Sequence, residues 1–191
     1  MANEIEEALV AGCRRRDKAA FRRLIDIYQQ PVFSLCVALA AGDAEDLAQE
    51  TFLRVFKSIA DFDPRGPATL RSWILVIARR LCHDRARHVR RGVEIAVQPP
   101  AYAADPAAGP EERAVAASLR ARVRVAMARL PEEQRLVLAL REWEGLEYEE
   151  IAAVDGVPVG TVRSRLARAR AALREALSDE ESSRSPRVVP V

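Results

Sequence analysis

The chain is predicted to be all-α: two small helical domains joined by a flexible linker, the C-terminal one containing a helix-turn-helix. Three observations carry that prediction. Apolar residues recur at helical spacing through most of the 191 residues, and no stretch alternates polar with apolar for long. Glycine is sparse outside turns. The period fails over one long internal stretch, 92–110, where Pro99, Pro100, Pro106 and many alanines take its place.

A first helix is expected over about 4–15. A second follows Asp17 and carries Phe21, Leu24, Ile25 and Tyr28 on one face. Pro31 is expected to end it, leaving a third helix over 32–40 that stops at Ala41 and Gly42. Asp43 then offers an N-cap to a helix with Leu47, Thr51, Val55 and Ile59 on one stripe and Phe52 and Phe56 beside it. Its outer side keeps Asp46, Gln49, Glu50 and Leu53. Acids in a first turn complement the helix dipole, which accounts for Glu45 and Asp46 but not for Gln49 and Glu50.

Pro64, Gly66 and Pro67 break the chain over 61–68. The helix after them, about 69–90, has a core stripe of Leu70, Trp73, Ile74, Ile77 and Leu81. Its other side carries Arg79, His83 and Arg87 or, turned slightly, Arg80, Arg87 and Arg91. Like charges one turn apart destabilise a helix, so arginine at this density points to an anionic partner, nucleic acid before others. Beyond the linker, a helix from about 111 carries Leu119, Val123, Ala126 and Met127 to Leu130. Pro131 opens the next, which buries Leu136, Val137, Leu140 and Trp143 and ends at Gly145.

Residues 147–173 read as two helices around a tight turn. Ile151 and Ala152 close the inner face of the first, Asp155 and Gly156 tolerate positive φ, and Pro158 suits the start of the second. Glu147 stands where Ser, Thr, Asp or Asn caps better. On the second helix Val162, Leu166, Ala169 and Leu173 form the inward stripe. Thr161, Ser164, Arg165 and Arg168 face outward from its first turns, where a helix-turn-helix presents side chains to base edges, and Arg163, Arg170 and Arg174 flank them at positions suited to phosphates. The remaining tail, 178–191, cannot build a core and is expected to be disordered.

The net charge of +2 conceals a strong asymmetry. Six arginines fall within 79–91 and eleven within 120–174, while acids gather at 43–50, 132–133 and 142–150, so two basic surfaces and an acidic one are implied. Cys13, Cys36 and Cys82 are odd in number and widely spaced, which predicts free thiols in a reducing compartment and no pairing that could act as a redox switch. Cys82 and His83 point about 100° apart on a helix and no second ligand pair follows, so no metal is expected. Asp43, Asp46 and Glu50 mimic a metal site by spacing, but only the last two share a face. No cofactor loop and no paired nucleophile and base are present, which excludes the common enzyme classes. The N-terminus lacks a signal-peptide core and no apolar run approaches membrane-spanning length, so a cytosolic protein with no membrane insertion, monomeric when free, is expected.

Four motifs in this order, DAEDLAQETFLRVF at 43–56, LRSWILVIARRLCHDRAR at 70–87, LPEEQRLVLALREWEGLEYEEIA at 130–152 and VPVGTVRSRLARAR at 157–170, resemble bacterial RNA polymerase sigma factors of the extracytoplasmic-function group. The resemblance implies a region 2-like domain over 1–91, a linker over 92–110, a region 4-like domain over 111–177, and a non-enzymatic role: binding core RNA polymerase and directing it to promoter DNA. It casts Asp46, Gln49, Glu50 and Leu53 as contacts to a coiled coil of the polymerase's largest subunit. It assigns the minus-ten element to Phe62, Arg79, Arg80, His83 and Arg87, with the loop 62–70 capturing a flipped base. It assigns the minus-thirty-five element to Thr161, Arg163, Ser164, Arg165, Arg168 and Arg170. Such factors are commonly held inactive by an anti-sigma factor, and a tethered two-domain chain permits that clamping. The chain departs from the family pattern in having Arg80 where Asn is usual. With Phe62 and Trp73 the only aromatics in 61–91, weak melting and stringent promoter choice are expected. The rival reading is a stand-alone helix-turn-helix regulator that does not bind polymerase.

Overall fold

The computed structural model describes residues 2–40, 42–66, 68–89 and 109–184, and every regular element among them is helical. In order they are α1 (Ala2–Arg14), α2 (Lys18–Leu39), α3 (Ala44–Ser58) with a 3-10 turn (Ile59–Asp61), α4 (Leu70–Val89), α5 (Pro110–Ala128), α6 (Glu132–Glu142), α7 (Tyr148–Asp155) and α8 (Val159–Arg184). The expected linker falls almost wholly outside the described residues. The predicted tail is only partly so, because α8 runs past Ser178 to Arg184, and the expected disorder does not begin at 178.

Local chemistry sets most of the boundaries. Asp17 is extended and its carboxylate accepts the Ala19 N–H at 2.8 Å, so α2 starts on a satisfied cap. Thr69 does the same for α4, its hydroxyl accepting the Ser72 N–H at 3.1 Å. Glu147 proves a serviceable cap: its N–H donates to the Glu150 carboxylate at 2.9 Å, one half of a capping box. Gly145 at φ +65° and Gly156 at φ +71° close α6 and α7 in the left-handed region, and Asp155 itself remains helical.

Pro31 does not end α2; it lies inside one 22-residue helix. The proline removes one hydrogen bond, but Ile27, whose carbonyl it leaves without a donor, is 46% exposed, on a side that water can reach. The half after Pro31 buries Val32, Leu35, Cys36, Ala38 and Leu39, so tertiary packing outweighs the local break.

Helix α2 is the hub of the first bundle, packed on α1, α3 and α4. The stripe Leu47, Thr51, Val55 and Ile59 is buried as the spacing predicts, while Trp73, Ile77 and Trp143 are half-buried and Leu119 is exposed. In the second bundle α8 lies across α5, α6 and α7. The two bundles also meet each other, α2 on α6 and α4 on α7, and the buried apolar cluster runs without a break from Leu24, Leu35 and Ile74 to Leu140, Ile151 and Leu166.

Cys36 of α2 and Cys82 of α4 meet inside this core with their sulfurs 3.7 Å apart, a pairing that the sequence spacing did not reveal. The contact with Cys36 and the burial around it push the Cys82 thiol well above its ordinary value, which suppresses the reactive thiolate. Both thiols are therefore expected to resist iodoacetamide in the native protein and to react only as it unfolds. Mass spectrometry along a urea series checks this, and rapid labelling of Cys82 without denaturant contradicts it.

Candidate nucleic-acid interface

The recognition helix α8 divides as its periodicity requires. Val162, Leu166 and Ala169 are buried and Leu173 half-buried, while Arg163, Ser164, Arg168, Arg170 and Arg174 are exposed. Ser164 donates to the Thr161 carbonyl at 2.9 Å, and Arg168 Nε donates to the Ser164 carbonyl at 3.2 Å. Both side chains thus stay on the outer surface with no carboxylate committed to them by these bonds. Arg163 lies 5.9 Å from the Tyr148 ring centroid, across which Arg141 also lies at 5.2 Å.

Arg165 and Arg170 are engaged differently from the expectation. Arg170 donates from Nε and from its terminal nitrogen to Glu142 Oε1 at 3.0 and 2.6 Å, and that bond raises its pKa above the ordinary value. An exposed pair of this kind is worth little, so phosphate can compete for the guanidinium. Arg165 is held more firmly, by Asp155, whose side chain is wholly buried.

Asp155 is the residue whose contacts sequence reasoning missed. Read as a turn former before Gly156, it is instead a buried carboxylate at the end of α7 that accepts from two arginines. One oxygen takes Arg165 of α8 and the other takes Arg79 of α4 at 2.8 Å. Two charge-assisted bonds satisfy an ion that is costly to bury alone. The consequence for Arg79 is a correction: it is half-buried in the contact between the bundles and does not share the open face of α4. A second bridge lies along the same seam, where Arg71 of α4 donates to the Glu144 carbonyl at 2.7 Å and to its carboxylate at 3.0 Å.

Arg80, His83 and Arg87 remain exposed on α4. Phe62 does not join them. It is 3% exposed and packs on Trp73 with ring centroids 5.2 Å apart, so it cannot stack on an unpaired base without leaving the core. Arg14 of α1 reaches over to donate to the Ala60 and Phe62 carbonyls and so pins the chain where it enters the loop.

On α3 the outer side keeps Asp46, Gln49 and Leu53 exposed, Leu53 at 55%, while Glu50 is half-buried and bonds Arg54 at 3.1 Å. A groove of about 450 Å³ runs between α2 and α3, lined by Ile25, Asp26, Phe33, Glu45, Gln49 and Phe52. Asp43 caps α3 by position but its side chain makes no cap bond, since Arg85 takes it at 2.8 Å. Among the described residues no three His, Cys, Asp or Glu side chains are grouped to hold a metal ion, and no helix is long and apolar enough to cross a membrane.

Comparison with known proteins matches residues 24–92 to Sigma-70 region 2 and residues 120–173 to Sigma-70 region 4. The RNA polymerase sigma-H factor of Pseudomonas aeruginosa is 35% identical over 187 residues, covering 93% of this chain and 96% of that protein. The ECF RNA polymerase sigma factor SigC of Mycobacterium tuberculosis is 38% identical over 186 residues, covering 94% and 93%. The chain belongs to the extracytoplasmic-function group of sigma factors. As an alternative sigma factor it serves promoter recognition and transcription initiation, and the stand-alone regulator is not favoured, because region 2 accompanies the helix-turn-helix. The fold agrees: the sigma factor RpoE of Bartonella quintana, solved with the anti-sigma factor NepR, superposes with a TM-score of 0.66 at 24% identity over 83% of this chain and 96% of that one.

Proposed function

We propose that this sigma factor docks on core RNA polymerase through the outer face of α3 and reads promoter DNA with two separate surfaces, the exposed arginine face of α4 at the minus-ten element and the start of α8 at the minus-thirty-five element. The observation that carries the polymerase contact is the division of α3. Its inner stripe is consumed by the core, yet Asp46, Gln49 and the 55% exposed Leu53 are given to solvent beside an open groove. An exposed leucine ringed by polar side chains fits a protein partner better than water. On α4, Arg80 and Arg87 supply charge for the displaced strand and His83 a hydrogen-bonding side chain beside them, with the loop after Phe62 as the candidate capture site. The burial of Phe62 supports weak melting and stringent promoter choice. The group's usual control by an anti-sigma factor extends naturally to this chain, and the factor acts in the cytoplasm with the polymerase.

Replacing Asp46 by Lys tests the docking face. A pull-down on core polymerase without DNA is expected to lose on the order of tenfold in affinity, as for a charge reversed at an interface, with helical circular dichroism unchanged. Unaltered polymerase binding, or a loss matched by loss of helix, returns Asp46 to a role in the α3 dipole alone.

A further inference from the structure

The corner between α1 and α2 carries charge that neither the core nor the proposed DNA surfaces use. Arg14, Arg15, Arg16, Lys18, Arg22 and Arg23 are all exposed, and among the described residues none of the six forms an ion pair. Acids in the same corner and the adjoining loop are fewer. Asp17 spends its carboxylate on the Ala19 N–H and Asp63 on the Arg65 N–H at 3.0 Å, which leaves Asp61 beside them. Like charges this dense repel one another, so their company without counter-ions points to an anion from outside the chain.

One of the six is held there against its own backbone preference. Arg16 closes α1 at φ 60°, and among the described residues it is the one residue other than glycine with positive φ. Its N–H donates to the Cys13 carbonyl at 2.9 Å and the Asp17 N–H to the Gly12 carbonyl at 3.2 Å, the paired bonds of a helix end that glycine usually fills. Strain kept where glycine would relieve it points to work done by the side chain. The Arg16 guanidinium lies 5.4 Å from the Phe56 ring centroid, and Phe56 rests edge-on against Phe21 at 4.9 Å, so the charge is presented from a fixed seat. Lys18 and Arg22, four residues apart on α2, share one exposed face.

This corner adjoins the proposed capture loop. Helix α1 packs on the 3-10 turn Ile59–Asp61, and Arg14 donates to the Ala60 and Phe62 carbonyls at the loop's entrance. A strand that gives a base to the loop carries its neighbouring phosphates past the corner. Single strands are held by stacking on aromatic rings and by charge along the backbone, and with Phe62 in the core the second must serve here. We infer that Arg15, Arg16, Lys18 and Arg22 form a phosphate-binding site for the displaced single strand beside the capture loop. Its place in the complex rests on the capture-loop reading, whereas its ligand class, the phosphodiester, rests on the unpaired cations themselves.

The test uses the full-length factor assembled with core polymerase, and two variants. Arg16→Gly removes the guanidinium and relieves the backbone at once, so its thermal midpoint should be no lower than that of the unaltered protein. Lys18→Gln combined with Arg22→Gln removes two charges from an exposed face without touching the turn. A promoter fragment recovered by chromatin immunoprecipitation and given a non-complementary stretch over its minus-ten element is the pre-opened probe, and the same fragment cut short upstream of that element is the control. On the pre-opened probe the log–log salt slope should fall by about 0.7 for Arg16→Gly and about 1.4 for the double variant, the share of one single-strand phosphate for each cation. Binding to the control, and to core polymerase in a pull-down, should not change. An unaltered slope in both variants overturns the site, and so does an equal fall on the control. Weakened binding to core polymerase gives the corner to a protein partner and likewise overturns it. If Arg16→Gly fails to fold, the double variant decides by the same readings. If exchanging every base in the opened stretch leaves affinity unchanged while the slope still falls, the capture-loop reading fails and the phosphate site stands.

Discussion

Leu166→Ala is expected to destabilise the C-terminal bundle by about 2–5 kcal/mol, the usual cost of deleting a fully buried leucine side chain. Leu166 is 1% exposed, with Val162 and Ala169 at 0% on the same face of α8, and that face is packed on α6 and α7. The collapse available to fill the gap is small, because Val162 and Ala169 are short and α8 is held at its start by the Pro158 carbonyl, which accepts from Thr161 at 2.8 Å. A typical domain has only about 5–15 kcal/mol in hand, so the variant should unfold at markedly lower urea. Promoter binding should fail with it, since the outer face cannot stay aimed once the inner face loses its seat. Urea denaturation followed by circular dichroism measures the loss, and a destabilisation below about 1 kcal/mol would mean that the α8 stripe is not the anchor its burial implies.

How much of this was legible in the sequence follows from which forces are local. The α3 and α8 stripes were readable because a 3.6-residue period records burial directly, and Asp17, Gly145 and Gly156 were readable because caps and left-handed turns demand particular residue types. Pro31 misled because the force that overrides it is the burial of Val32, Leu35 and Cys36 against other helices, and no local pattern contains that. The site shows the same division. Ser164 and Arg168 lie outward as their spacing requires, whereas Arg79 and Arg165 were assigned to DNA from their helices alone. In the structure both meet Asp155, 76 residues from one and 10 from the other, and a charge that meets two arginines across a bundle contact leaves no periodic trace. The Cys36 and Cys82 pairing, 46 residues apart, was hidden for the same reason. The sequence does hold one signal for Asp155: an acid directly before a helix-closing glycine, where the dipole favours a cation, asks for a counter-ion.

Arg168→Ala should cost on the order of 1–3 kcal/mol in binding to the minus-thirty-five element and relax the preference at a single base pair. The reasoning starts from what holds the side chain. Its bonds run to the Ser164 carbonyl at 3.2 Å and, at 3.5 Å, to the Ser164 hydroxyl, both on its own helix, so the guanidinium is presented without the neutralising carboxylate that Arg165 and Arg170 carry. A guanidinium so placed can take guanine O6 and N7 together, and its loss is felt only where that guanine stands. Arg170→Ala serves as the contrast. Arg170 must first leave Glu142, an exposed pair worth about 0–1 kcal/mol, and what it then offers is charge to a phosphate. Its removal should weaken binding to all sequences about equally and lower the salt slope by about one. Promoter fragments recovered by chromatin immunoprecipitation, titrated with both variants at several salt concentrations, separate the two roles. Uniform loss for Arg168→Ala, or sequence-selective loss for Arg170→Ala, reverses the assignment, because base readout depends on the base pair and phosphate contact does not.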